Sequence, residues 1–168
     1  HVKVDGQVVS GGIFAFALWD ARERELVIAR DGLGVKPLYY SRAGGRLAFA
    51  SELKAFLVLA GMSREIDHAA LRDHLVRLWA PGERTMLRDV RKLPPGHLIR
   101  AKRGGVELTR WHTPAVGRAG QGAASEEALK VEDLDSHARV VREQCLSDVP
   151  ACAFLAGADD STAMVAAE

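Results

Sequence analysis

The chain has 168 residues, 48% of them hydrophobic and 27% charged, and Lys plus Arg outnumber Asp plus Glu by only 23 to 22. That supplies a core for one ordinary domain or two small pieces, and the near-balanced charge excludes the broad basic field that nucleic acid or an anionic lipid surface demands. No apolar stretch reaches the roughly 20 residues of a membrane span, and no basic-then-apolar leader opens the sequence, so a cytoplasmic protein with neither nucleic acid nor membrane as partner is expected.

In chain order, "GIFAFALW" is apolar at nearly every position and reads as a central strand buried on both faces. "LVIAR" resumes after a polar turn, making Ile13 to Arg30 a hairpin with a loop of about six residues. The loop "DGLGVKP", "LYYS", a Gly-Gly turn and "RLAFAS" complete a run of four short strands. Ser51 is placed to cap a helix over "ELKAFLVLA", with Glu52 in its first turn and Gly61 as the stop. Asp67 is placed to cap "HAALRDHLVRLW", where Leu71, Leu75 and Leu78 share a face.

From Thr85 to His112, "KLPPGH" is stiff and turn-forming, and "LIRAKRGGVELTRW" reads as a connecting hairpin folded at Gly104 and Gly105. The stretch "TPAVGRAGQGAAS" has no hydrophobic period and reads as a linker. Ser125 then opens a long amphipathic helix in which Leu134, Ala138, Val141 and Cys145 share a face, followed by a short strand "ACAFL", an acidic turn and the helix-like "STAMVAAE". Helix, strand, tight loop, helix is the opening unit of a nucleotide-binding α/β domain. Cys145 and Cys152 have no Cys or His at zinc spacing and read as small, reduced core residues. With His1 in place of Met, and Glu168 within a helix-like stretch, the segment is expected to be internal to a longer protein.

Taken together, "GIFAFALWD", "LVIARDGLGVKPLYY", "RLAFASELKAFL", "REIDHAALRDHL", "PGERTMLRDVRKLPPGHL" and "SDVPACAFLAGADDST" resemble successive blocks of the glutamine-hydrolysing asparagine synthetases, and only the linker from Gly117 to Ala124 is generic. The resemblance implies an α/β (α+β) chain: the C-terminal part of an N-terminal-nucleophile-type four-layer α/β/β/α sandwich, followed by the first helix-strand-helix of a Rossmann-like ATP-pyrophosphatase domain. On that basis residues 1–62 end the glutamine amidotransferase domain, 63–124 form a connector helix, hairpin and linker, and 125–168 begin the synthetase domain. The complete enzyme would take glutamine, aspartate and ATP with Mg²⁺, as a homodimer, and amidate aspartate through an aspartyl-adenylate. Its amidotransferase would use an N-terminal cysteine whose own α-amine is the base. Cys145 and Cys152 are internal and cannot fill that role, so no catalytic residue is assigned in this chain and glutamine hydrolysis is expected to be absent from it.

The family's phosphate loop reads Ser-Gly-Gly-x-Asp-Ser, and this chain has "AGADDST". Glycines let backbone N–H groups approach pyrophosphate, hydroxyls donate to its oxygens, and the Asp holds Mg²⁺. Ala156 replaces the Ser, Gly157 is kept, Ala158 replaces the second Gly, Asp159 is the variable position, Asp160 is the metal Asp, and Ser161 and Thr162 are the hydroxyls. The strand end at Phe154 and Leu155 would lie near the adenine. Losing the hydroxyl at Ala156 and a glycine at Ala158 sums to about 3 kcal/mol, roughly a hundredfold in affinity, so a weakened loop is expected. Two rival readings are a related amide-forming ligase such as a β-lactam synthetase, and a degenerate, non-catalytic module used for association.

Elsewhere, Arg30, Asp31 and Lys36 cluster in a Gly-rich loop, where Asp31 is expected to cap a turn and Arg30 to pair with a neighbouring carboxylate. Glu52 and Lys54 are too close to face each other along a helix. His97 and His112 are isolated beside a turn and a Trp, and "KLPPGH" reads as rigid geometry for interdomain packing.

Overall fold

The computed structural model describes residues 2–4, 7–9, 12–114, 136, 138–143, 148, 152 and 162. The chain divides into two compact units, His1–Val116 and Gly117–Glu168. The first is built on antiparallel sheets. Strands β1 (Val2–Val4) and β2 (Gln7–Val9) form a two-stranded ribbon. Strands β3 (Ala15–Asp20), β4 (Glu25–Arg30), β8 (His97–Lys102) and β9 (Gly105–Arg110) make a four-stranded sheet in the order β3-β4-β8-β9, and β5 (Tyr39–Ser41), β6 (Ala48–Ala50) and β7 (Arg91–Lys92) make a second in the order β6-β5-β7. With one α-helix, α1 (His68–Arg77), among its own described residues, this first unit is α+β.

Strand β4 is the centre. Its period-two alternation sends Ile28 to one face and Ala29 to the other, and both are fully buried. Ile28 lies opposite Ile99 in register and shares a cluster with Leu38 and Leu93, against which Tyr40 of the second sheet packs, so this cluster joins the two sheets. Ala29 lies opposite Leu98, and Phe14, Phe16 and Trp111 pack over them. A third cluster, Phe56, Leu87 and Val90, fills in beneath the second sheet with Tyr39, Ala48 and Ala50.

Four expectations change. Among the described residues "GIFAFALW" is an edge strand, not a central one: β3 pairs there with β4 alone, and Leu18 and Trp19 are 37% and 59% exposed. An unbroken apolar run reports two apolar faces, whereas edge or centre is decided by which strands are available to pair, and β8 takes the other side of β4. The hairpin loop is residues 21–24, tightened because Asp20 Oδ1 accepts from the Arg22 and Glu23 amides at 2.8 and 3.0 Å. "LIRAKRGGVELTRW" is no connector; its two strands are half of the main sheet. The segment after Ser51 is a single 3₁₀ stretch, Leu53–Leu57, whose N-cap is Glu52 without a side-chain bond. Only Phe56 of that stretch is buried, so packing does not sustain a longer helix there.

Helix α1 does start as the sequence indicates, with Asp67 Oδ1 accepting from the Ala69 and Ala70 amides at 3.0 and 3.1 Å. Its buried residue, however, is Ala70; Leu75 and Leu78 of the expected apolar face are 72% and 84% exposed. The helix stops at Arg77 with Leu78 left-handed at φ 62°. In the second unit residues 138–143 are helical, with Val141 buried, Val140 exposed and Arg139 paired to Glu143 at 3.3 Å. Ser136 is helical as well; the remainder of the helix expected from Ser125, and Cys145, lie outside the described residues.

Leu78 holds a backbone conformation that costs a non-glycine residue about 1–2 kcal/mol and, being exposed, it recovers little of this by burial. Leu78→Gly is therefore expected to stabilise the protein by about 0.5–1 kcal/mol after glycine's own entropic cost. Denaturant unfolding checks this; a loss of stability would show that the helix does not end in a left-handed residue.

Candidate functional site

The densest polar arrangement forms where β4 runs into its Gly-rich loop. Arg30, the last residue of β4, donates from Nε to Lys36 O at 2.7 Å, from Nη1 to Leu93 O at 2.6 Å and from Nη2 to Gly34 O at 2.6 Å. The guanidinium therefore binds three carbonyls rather than the carboxylate expected from the sequence. Burial lowers its pKa, opposed by the charge of Asp31, and a guanidinium remains protonated regardless.

Asp31 does cap the loop. Its Oδ1 accepts from the Val35 amide at 2.9 Å and its Oδ2 from the Lys36 amide at 3.0 Å, while its carbonyl accepts from the Gly34 and Gly96 amides. It is 1% exposed. Burial alone would raise its pKa, but the backbone N–H groups of Lys36, Val35, Gly34 and Leu33 outweigh that and the net shift is downward.

The "KLPPGH" turn closes the arrangement. Gly96 donates to Asp31 O, and its own carbonyl accepts from the Trp111 and His112 amides at 2.9 and 3.1 Å. Trp111 Nε1 donates to Arg30 O at 3.2 Å. A Cβ on Gly96, which has φ 65°, would stand 2.5 Å from His112 O, so only glycine fits this approach. Arg30 and Asp31 were legible from the sequence, whereas Leu93, Gly96 and Trp111 carry no local signal tying them to that loop. Because these polar atoms are spent on backbone partners, the arrangement is built to fix chain positions rather than to hold a substrate.

Two further places carry chemistry. The Lys92 ammonium donates to Ala80 O and stands 5.6 Å from the Trp79 ring centroid, and burial followed by the charge of Arg30 lowers its pKa. A cavity of ≈ 370 Å³ lies between β6 and the 3₁₀ segment, lined by Leu47, Phe49, Phe56, Leu59 and Met62 with Arg46 as its charged side chain. It offers apolar contact and few convergent polar groups.

Of the expected phosphate loop, Phe154, Leu155, Ala156, Gly157, Ala158, Asp159, Asp160 and Ser161 lie outside the described residues; Thr162 is helical and exposed. The expected metal residue, Asp160, is thus among those outside. Among the described residues no three His, Cys, Asp or Glu side chains converge to hold a metal ion, and no helix is long and apolar enough to cross a membrane. Cys152 is exposed, not a core residue. His97 Nδ1 lies 2.8 Å from Pro95 O, and the His112 ring lies 5.3 Å from that of Trp111. Glu52 and Lys54 do pair, at 2.6 Å, because Glu52 is extended rather than helical; both are exposed and the pair contributes little.

Comparison with known proteins matches residues 7–112 to a glutamine amidotransferase domain. The chain is 38% identical over 160 residues to a Mycobacterium tuberculosis protein provisionally named asparagine synthetase (glutamine-hydrolyzing), covering 92% of this chain and 24% of the relative. It is 33% identical over 158 residues to asparagine synthetase (glutamine-hydrolyzing) 3 of Bacillus subtilis, covering 92% and 25%. It is also 32% identical over 155 residues to the amidase chyE of Penicillium rubens, covering 91% and 22%. The chain thus spans about a quarter of the length of these curated relatives.

Two outcomes follow from the Arg30–Asp31 geometry. Arg30→Lys keeps the charge but loses the fork that reaches three carbonyls, and is expected to cost about 3 kcal/mol, a fall of roughly 6–12 °C in melting temperature. A drop below 2 °C would show that the three bonds are not made. Asp31 has a depressed folded-state pKa, so its contribution is fully present above the ordinary carboxylate value of about 3.9 and disappears as pH falls through the lower folded value. The stability advantage of the native protein over Asp31→Asn is therefore expected to be constant from neutral pH to about pH 5 and to shrink below about pH 4. Urea unfolding across that range measures it, and a gap that widens toward acid would contradict the assignment.

Proposed function

The chain belongs to the glutamine amidotransferase domain family, and from that premise we propose that it is part of a glutamine-hydrolysing asparagine synthetase, a carbon–nitrogen ligase that amidates aspartate with ammonia from glutamine. The observation that carries the reading is the reach of the likeness. Identity of 33–38% to synthetase-named relatives extends over 92% of the chain, well beyond the residues 7–112 matched to the amidotransferase domain.

In this reading the first unit belongs to a four-layer sandwich, the stretch from Gly117 to Ala124 connects it onward, and residues 125–168 begin a Rossmann-like ATP-pyrophosphatase domain. ATP, bound with Mg²⁺, supplies the energy that activates the acid. This chain's part is to place Gly157 and the Ser161 and Thr162 hydroxyls against pyrophosphate and to offer Asp160 to the metal, with Phe154 and Leu155 near the base. Neither Cys145 nor Cys152 carries an α-amine, so neither is assigned the nucleophile's role. A cytoplasmic location and a homodimer belong to the same reading; the dimer is supported by the exposed Leu75 and Leu78 and by the β3 edge, which has no further partner among the described residues, and sedimentation as a monomer at all concentrations would count against it.

Calorimetric titration of the whole chain with ATP and Mg²⁺ tests the loop. Ala156→Ser combined with Ala158→Gly is expected to tighten binding on the order of a hundredfold, and Asp160→Ala to abolish the magnesium dependence. Identical titrations for the native chain and both variants would remove the loop's assigned role.

A further inference from the structure

A second cavity, of ≈ 340 Å³, opens beside β5 and is lined by Tyr40, Ser41, Arg42, Arg88, Asp89 and Arg91. Three guanidiniums thus face a single carboxylate. Arg88 is engaged, paired to Glu65 at 2.5 Å, while Arg42 and Arg91 have no ion-pair partner among the described residues. The sheet itself brings the group together. Arg91 lies opposite Tyr40 in the β5–β7 register, so their side chains project from the same face, and Arg42 follows directly on the end of β5.

Tyr40 supplies a fixed neutral donor. Its ring packs against the Ile28, Leu38, Leu93 and Ile99 cluster, which holds the phenol in place, and its hydroxyl makes no hydrogen bond to another described residue. Burial first, and the charge of Glu83 next, raise its pKa, which keeps the proton on the oxygen. The Ser41 hydroxyl, buried at the strand end, accepts from the Ala43 amide at 3.3 Å and holds the turn that follows β5.

We propose that this cavity binds a phosphate dianion, either free or as the end group of a small phosphate monoester. Counted with Asp89 and with the Glu65 partner of Arg88, the three guanidiniums leave a net positive charge at the cavity, which favours an anion, and the more highly charged phosphate monoester over a carboxylate. Guanidinium forks suit the oxygens of a tetrahedral oxyanion, and the phenol adds a donor without adding charge. The site lies within residues 40–91 and does not depend on the ATP loop or on the synthetase reading.

The experiment is a titration of the whole chain, without divalent cations and at low salt, with inorganic phosphate, adenosine monophosphate and acetate as separate arms. Saturable binding of either phosphate is expected, with acetate at least tenfold weaker; whichever phosphate binds more tightly identifies the source. Arg42→Gln with Arg91→Gln is expected to weaken phosphate at least tenfold, and Tyr40→Phe, which preserves the core ring, about threefold. Arg110→Gln, on exposed β9, is expected to change nothing. Melting temperatures confirm that each variant is folded, and Tyr40→Phe supplies the test if the double variant is not. No saturable binding, acetate binding equal to phosphate, or unchanged affinity in both cavity variants would overturn the proposal.

Discussion

The first unit depends on one guanidinium. Arg30 ends the central strand and binds the carbonyls of Gly34, Lys36 and Leu93, which fixes the path of the loop leaving β4 relative to the segment entering β8. Asp31 repeats the device with its carboxylate on the Val35 and Lys36 amides and its carbonyl on the Gly96 amide. A donor-only and an acceptor-only side chain, adjacent in sequence, serve opposite halves of the same backbone. The charge of each is offset by bonds to neutral peptide groups, and that of Arg30 also by the proximity of Asp31.

This explains how a sheet with few long strands holds its register. β5, β6 and β7 have only two or three residues each, too few for ladder bonds alone to specify pairing. Their alignment is imposed by what flanks them: Leu93 donates its amide to Leu38 O just beyond β7, and Tyr40 packs into the cluster around Ile28. The buried Thr85 hydroxyl donates toward the carbonyls of Leu87 and Val90 and accepts from the Leu87 amide, tying down the turn before β7.

Two local signals from acidic side chains are followed by the structure, although the Ser51 cap and its helix are not. The Asp67 cap depends on side-chain geometry within three residues, and it forms. The turn-capping role of Asp31 is local too. What failed was decided at long range: β3 is apolar enough for a centre but sits at an edge among the described residues, the hairpin of β8 and β9 enters the main sheet, and Leu75 and Leu78 of the expected stripe stay exposed while Ala70 enters the core. Of the three carbonyls that Arg30 binds in place of a carboxylate, Leu93 is 63 residues distant and out of reach of any local signal, whereas those of Gly34 and Lys36 are local. The family itself was legible because several blocks stood in register, while the phosphate loop from Phe154 to Ser161 stays a matter of resemblance.

The central strand has a hairpin neighbour on one side and, on the other, a partner that comes about seventy residues later, Ile28 against Ile99. Closing so long a loop is costly before any contact rewards it. As the chain emerges during synthesis, Val27, Ile28 and Ala29 therefore wait with one flank unpaired until residues 97–102 arrive. The time between those two events is when this domain is most open to mispairing with another nascent chain.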